Sequence, residues 1–198
     1  MHNICVLSQN GNIAETLLSP PLFSFDTAFF DDKVILQLKN PEKNPQESVI
    51  RYTTDGSQPT EESPIAPQSI ELTKTTVFKA STFAPKAIPS RVVTQTFINL
   101  GREVTLPIIS LSINDKFLYD EEIGIYTAGK DDNQYKNYEN DWHRPTTIEY
   151  FDTSGNSCIN QLGEVRIAGA TSRVHPMKSL IVYAKKRLGS EAFNYPFW

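Results

Sequence analysis

Apolar and polar residues alternate with a period of two along several short segments in the first hundred residues. Val34, Leu36 and Leu38, for example, alternate with Ile35, Gln37 and Lys39 over six positions. This period places successive side chains on opposite faces of a strand. Strands are predicted at Val34–Lys39, Val49–Thr53, Ile70–Leu72, Thr75–Phe83 and Arg91–Leu100. Because Pro-rich turns separate them, we expect an antiparallel sandwich over residues 20–100, preceded by a loose extension at 1–19.

The pattern changes after Gly101 and predicts a second region with more irregular structure. One short helix is expected between Asn114 and Glu122, with Asn114 as its N-cap. Gly124 to Asp141 is polar, aromatic and acidic, which is typical of a long loop. Strands are predicted at Leu106–Ile113, Pro145–Phe151, Cys158–Gln161, Gly163–Gly169 and Ser179–Ala184, with a turn over residues 152–155. Residues 103–198 therefore predict a β-rich α+β domain.

Composition supports strands over helices. The 198 residues include 44 β-branched Thr, Ile and Val against only 11 Ala, and β-branched side chains fit pleated sheets. A hydrophobic content of 39% with 21% charged residues argues against both a disordered tail and a membrane protein. No apolar run approaches the ~18 residues of a membrane span. The run Ile4–Leu7 is too short for the core of a secretion signal.

Charge is distributed unevenly along the chain. The formal net charge is −4, but residues 163–198 carry +4 and residues 1–162 carry −8. A basic region can receive an anionic ligand such as phosphate. The alternative is a solvated strand surface with extended lysine side chains.

The sequence predicts no catalytic residue and no metal site. Adjacent acids in loops are typical of solvated surface, and none of them follows the calcium-loop pattern. The three histidines lack metal-ligand spacing, and His143 is expected to pack or bond locally. The two cysteines are expected to be thiols. The adjacent acids are Asp31-Asp32, Asp120-Glu121-Glu122 and Asp131-Asp132. The histidines are His2, His143 and His175, and the cysteines are Cys5 and Cys158.

Aromatic residues are concentrated in and around the predicted long loop. Exposed aromatic rings stack against apolar faces, including those of sugar rings. Two interpretations stay open: the rings stack on a glycan, or they pack the loop onto the sheet. The aromatic residues are Tyr119, Tyr126, Tyr135, Tyr138 and Trp142, of which the last four are the glycan-stacking candidates.

The first region resembles a known family. The string Tyr52-Thr53-Thr54-Asp55-Gly56-Ser57, followed by Pro59-Thr60, Thr75 to Ala80 and Pro89 to Thr94, is similar to the chitobiase/β-hexosaminidase C-terminal-like domain. The resemblance implies an immunoglobulin-like accessory module without catalytic residues. Physically, the same string describes a strand that enters an Asp-Gly turn, with Asp55 as a turn cap.

The second region resembles the beginning of a CotH kinase-like domain. The resemblance rests on motifs in a characteristic order: Leu106 to Ser112, Gly124 to Tyr126, Trp142 to Pro145, Ile148 to Phe151, Val165 to Arg173, Pro176 to Leu180, and Phe193 to Pro196. Such proteins often carry the sandwich module just upstream. The family includes atypical kinases whose catalytic and metal-binding acids lie further downstream. The match over residues 103–198 therefore implies an incomplete domain without its own catalysis.

Only the front motif of that family can be transferred to this chain. It implies phosphate contacts by Arg166, Arg173 and Lys178, accompanied by Gly169, Ser172 and Ser179. ATP and Mg²⁺ are implied only for a complete domain. Ala168 and Ala170 replace a glycine-rich run that is usual in the family, and Met177 stands where a second Lys is common. These departures weigh against nucleotide binding.

Two functional hypotheses follow. In the first, this mainly β chain is a non-catalytic accessory part of a CotH-like protein, which docks glycan or protein beside the remainder of the CotH-like domain. In the second, it belongs to an atypical kinase and contacts nucleotide phosphate. The resemblance implies an extracellular or bacterial cell-surface location. Neither nucleic acid nor a membrane span is expected as a partner.

Overall fold

A computed structural model describes residues 16–24, 27–130 and 135–196. The mainly β fold class is confirmed, with several antiparallel sheets and little helix. The chain divides into two compact units. The first comprises Met1–Thr105 with Ser154–Asn156, and the second comprises Leu106–Thr153 with Ser157–Trp198. Most of the predicted extension at 1–19, and with it Cys5, lies outside the described residues.

The described residues of the first unit form eight strands: β1 Leu22–Phe23, β2 Phe29–Phe30, β3 Val34–Leu36, β4 Leu38–Lys39, β5 Val49–Thr53, β6 Ile70–Leu72, β7 Thr76–Phe83 and β8 Val93–Asn99. The sheet orders are β2-β8-β7-β5, β3-β6 and β1-β4. All of these pairs are antiparallel except β2–β8, which is parallel. The predicted strand Val34–Lys39 is divided at Gln37, whose backbone carbonyl accepts a hydrogen bond from Ser24 N at 3.0 Å.

The core of the first unit lies between its sheets. Phe78 on β7 and Phe97 on β8 are fully buried and contact residues of β3 and β6. Tyr52 stacks on Phe78 with ring centroids 5.1 Å apart, which adds to the stability gained by burying these rings. The predicted role of Asp55 is confirmed: its carboxylate accepts hydrogen bonds from the Ser57 N–H and hydroxyl, which lower the pKa of Asp55.

The second unit contains one antiparallel sheet in the order β12-β11-β10-β9. Its elements are β9 Ile108–Ser112, helix α1 Asp115–Tyr119, β10 Arg144–Phe151, β11 Ser157–Ile167 and β12 Leu180–Tyr183. Short 3-10 helices occur at Asn137–Glu139, Thr171–Val174 and Lys186–Leu188. Asn114 caps α1 as predicted, because its side-chain oxygen accepts a hydrogen bond from Lys116 N at 2.9 Å.

The prediction of two separate strands at Cys158–Gln161 and Gly163–Gly169 is wrong. A single strand, β11, runs from Ser157 to Ile167, and it pairs with β10 from Ser157 to Val165. Gly163 lies within this strand, where a Cβ would meet the side chain of Ile148 on β10 and the backbone oxygen of Tyr183 on β12. The glycine therefore permits close packing between β11 and its two neighbouring strands.

The core of the second unit forms where the long loop covers the sheet. Ile125 from the loop is buried with Val165 and Ile167 of β11. Tyr126, Tyr138 and Trp142 pack partly buried against this cluster. The loop is thus held mainly by apolar burial, which contributes about 25 cal/mol per Å² of apolar surface removed from water. Within the described parts of the chain, no helix is long and apolar enough to cross a membrane.

Candidate functional site

Two of the three candidate phosphate residues converge on one carboxylate. Arg166 extends from β11, and Arg173 lies in the 3-10 helix at Thr171–Val174. Their guanidinium nitrogens lie 3.1 and 2.8 Å, respectively, from Oδ1 of Asp141. Hydrogen bonding by Arg173 and its charge hold the pKa of Asp141 below its usual value. The two arginines therefore form a cationic pair that one exposed acid partly neutralises.

The third candidate, Lys178, is bound to the same segment. Its ammonium donates hydrogen bonds to the carbonyl oxygens of Arg173 and His175, at 2.6 and 2.8 Å. It also lies 4.3 Å from the ring centroid of Tyr138 and 5.4 Å from that of Tyr126. Cation–π contacts of this kind are worth about 0.5–2 kcal/mol. Lys178 thus stabilises the segment 173–178 in this structure, and binding a phosphate would require it to exchange these contacts.

The four glycan-stacking candidates separate into two pairs. Tyr126 and Tyr138 pack on Lys178, and the Tyr126 hydroxyl accepts a hydrogen bond from the Lys178 backbone N–H at 3.0 Å. The other pair, Tyr135 and Trp142, lines a shallow pocket of about 390 Å³. That volume lies within the range of small-molecule sites.

The pocket is surrounded by polar side chains from the same loop. We call it the loop pocket; it is lined by Glu121, Glu122, Lys130, Tyr135, Asn137, Asn140 and Trp142. Tyr135 is 64% exposed and can contact a ligand directly. Trp142 is held from another side by Arg144, whose guanidinium carbon lies 4.9 Å from the ring centroid. Arg144 in turn donates two hydrogen bonds to the carbonyl oxygen of Ile123.

A charged cluster around Glu164 was missed by the sequence analysis. Glu164, on β11, is only 5% exposed. Its carboxylate pairs with Nδ1 of His143 at 3.1 Å, with Nζ of Lys185 at 3.5 Å, and with Arg187. The only signal in the sequence was an acid between a glycine and an apolar residue within a predicted strand, at Gly163-Glu164-Val165. We expected His143 to pack or bond locally, but its hydrogen-bond partner Glu164 lies 21 residues away along the chain.

The surroundings of His143 favour the neutral form of its imidazole. Burial, followed by the positive charges of Lys185 and Arg166, lowers the pKa of His143, while Asp141 acts in the opposite direction. The nearby Glu164 carboxylate favours the cation, but it is already shared with two other cations. The imidazole Nδ1–H therefore serves as a neutral donor to Glu164.

The acidic runs noted in the sequence have local structural roles where they are described. Asp120 accepts hydrogen bonds from the backbone N–H groups of Glu122 and Ile123, which lower the pKa of Asp120. Asp131 and Asp132 lie outside the described residues. Among the residues that are described, no group of three or more His, Cys, Asp or Glu side chains is placed to hold a metal ion. Cys158 is half-buried, and its hydrogen bond with Tyr195 raises the pKa of that phenol.

Comparison with known proteins bears on the first unit. Residues 36–97 match a family model described as Fn3 associated. No curated protein and no solved structure matched the chain. The matched segment extends from the end of β3 into β8 and includes the Tyr52 strand and the Asp55 turn. The first unit therefore contains a β-rich domain similar to the Fn3-associated family.

Proposed function

We propose that the chain is a non-catalytic accessory portion of a bacterial surface or secreted CotH-like protein, and that it docks glycan through the loop pocket. The observation that carries the proposal is the position of Tyr135 and Trp142 beside carboxylate and amide groups in one pocket. Aromatic faces stack on sugar rings, while carboxylates and amides bind hydroxyl groups. The Fn3-associated match and the chitobiase-like motif around Tyr52 support an accessory role for the first unit.

Titration with soluble oligosaccharides tests this proposal. We expect saturable binding of at least one member of a panel of neutral, amino and acidic tetrasaccharides, followed by calorimetry. Tyr135→Ala should weaken it by about tenfold, which corresponds to about 1.4 kcal/mol. Because Tyr135 is exposed, the substitution leaves the core intact. Tyr119→Ala is the matched control, since Tyr119 is 61% exposed and does not line the pocket.

Two results would refute glycan docking at this pocket. One is the absence of binding by every oligosaccharide in the panel. The other is binding that Tyr135→Ala and Tyr119→Ala leave equally unchanged. If a protein bound instead and its binding depended on Tyr135, the accessory role would stand, and the ligand of the pocket would be a protein.

A second candidate function is nucleotide-phosphate contact in an atypical kinase. It is favoured by the convergence of Arg166 and Arg173 on the single Asp141 carboxylate, next to Lys178. Guanidinium groups bind phosphate in a bidentate manner. A phosphate would have to compete with Asp141 for both groups, and the engaged ammonium of Lys178 weakens the case.

Calorimetry with ATP and Mg²⁺ distinguishes the two functions. The kinase hypothesis predicts saturable heat that is lost in Lys178→Ala and reduced in Arg173→Lys, which keeps the charge but not the planar fork. Lys186→Ala is the control, because Lys186 is an exposed cation paired with Glu191 at the surface. An absence of heat with nucleotide, together with binding of an oligosaccharide, would reject the kinase hypothesis for this chain.

A further inference from the structure

The loop pocket is rich in hydrogen-bond acceptors. Asn137, which lines it, is only 1% exposed, and its amide nitrogen donates to the carbonyl oxygen of Glu121 at 3.0 Å. That bond fixes the orientation of the amide, because a carbonyl oxygen requires a donor. The other amide atom, Oδ1 of Asn137, accepts no hydrogen bond from any residue in the described ranges. Because this oxygen has no partner among those residues, it can accept a hydrogen bond from a donor on a ligand.

The carboxylates add further acceptors and a negative charge. Glu121 and Glu122 both line the pocket and are exposed, and one lysine, Lys130, lines it as well. Its ammonium lies 2.6 Å from Oε1 of Glu122. The lining side chains that the structure describes carry a formal net charge of −1. A group with several donors and a positive charge complements this lining better than an anion does.

The side-chain amide of Asn140, a hydrogen-bond donor of the pocket, already donates to backbone carbonyl oxygens. The Nδ2 group of Asn140 points to the carbonyl oxygens of Lys136 and Asn137, at 3.3 and 3.5 Å. A ligand that presents acceptors therefore finds few partners here, whereas a protonated amine presents three donors and no acceptor. The exposed ring of Tyr135 provides both a stacking surface and a face for a cation.

We infer that the loop pocket recognises an amino sugar through its protonated amine. The inference rests on the proposed glycan-docking function and names its ligand class. The ammonium lies toward the Glu121 carboxylate and Asn137 Oδ1, and the sugar ring lies against Tyr135. The same arrangement disfavours uronic acids, whose carboxylates meet the negative lining. It also disfavours N-acetylated sugars, because acetylation removes the charge and two of the three donors.

Three tetrasaccharides that carry a positive, a neutral or a negative group on each sugar test the inference. Oligomers of glucosamine, N-acetylglucosamine and galacturonic acid are titrated into the full chain at about pH 6, where carboxylates are ionised and primary amines are protonated. We expect the glucosamine oligomer to bind about tenfold or more tightly than either of the others, as for one charge-assisted hydrogen bond.

A charge-neutralising substitution identifies the group responsible. Glu121→Gln preserves the side-chain shape, and it should abolish the preference for glucosamine over N-acetylglucosamine. Glu103→Gln removes the same charge from an exposed position outside the pocket and should leave the preference unchanged. Far-UV circular dichroism of both variants should match that of the parent, which separates lost recognition from lost folding.

Each outcome of this experiment is decisive. Tighter binding of the acetylated or the acidic oligomer would overturn the amino-sugar inference while leaving glycan docking intact. Equal loss of preference in both Glu→Gln variants would overturn it too, because the effect would then be one of overall charge. If an oligolysine peptide bound as tightly as the glucosamine oligomer, the pocket would recognise ammonium groups in general and not a glycan. No binding of any oligosaccharide would defeat the proposed function itself.

Discussion

Replacing the buried carboxylate of Glu164 should destabilise the second unit more than replacing any surface charge. The proposed change is Glu164→Gln, which keeps the size of the side chain and removes its charge. In the parent, Glu164 joins β11 to His143, before β10, and to Lys185 and Arg187, after β12. Without the negative charge, two cations lose their partner, and the segment that follows β12 loses its attachment to the sheet.

The magnitude depends on how far the partners are exposed. Removing one partner from a fully buried pair costs about 3–5 kcal/mol, but Arg187 is 69% exposed and Lys185 35% exposed. Their charges can return to water, so each pair is worth only about 0–1 kcal/mol. The bond from His143 is the more protected one, and hydrogen bonds to a charged group contribute about 1.5–3 kcal/mol. We therefore expect a loss of about 2 kcal/mol in the free energy of unfolding.

Urea denaturation followed by tryptophan fluorescence provides the measurement. Trp142 packs against the core of the second unit, so its fluorescence reports that unit even if the two units unfold separately. Lys186→Gln is the control, because it breaks the exposed Lys186–Glu191 pair and should change stability by less than about 0.5 kcal/mol. The reasoning is wrong if Glu164→Gln is no more destabilising than this control.

Two further substitutions test local features of the same unit. The stability of the second unit should fall as the pH is lowered from about 7 through 6.5, because His143 has a lowered pKa when folded and takes up a proton more readily when unfolded. His143→Asn should make the stability less dependent on pH in denaturation curves measured from about pH 7 to 5. An unchanged dependence on pH would contradict the assignment to His143. Gly163→Ala should lower the free energy of unfolding by about 1–3 kcal/mol, since the added Cβ would lie 2.6 Å from the Tyr183 carbonyl oxygen. An unchanged melting temperature would show that β11 and β12 accommodate the added methyl group without loss of stability.

The sequence determined the local structure of this protein wherever short-range physics decides it. Alternation with a period of two placed β5 and β6 at the residues where they occur, and it placed β7 to within one residue. Asn114 was identified as a helix cap and Asp55 as a turn cap, because each bonds to a backbone group two residues away. These interactions depend only on neighbours along the chain, so one sequence is sufficient to predict them.

The tertiary structure decided which distant side chains meet. Two strands were predicted on either side of Leu162, but the pairing of β11 with β10 continues through that position. Likewise, Lys178 and Arg173 were candidate phosphate contacts in the sequence, but the fold provides Asp141 and backbone carbonyls as their partners.

The loop pocket and the Glu164 cluster follow the same rule. Tyr135 and Trp142 were candidates from composition alone, yet the fold separated them from Tyr126 and Tyr138 and placed them beside the pocket carboxylates. The partners of Glu164 lie 21 to 23 residues away along the chain. Contacts over such separations arise only when β10, β11 and β12 pair in register, because no local pattern encodes which strand lies next to which.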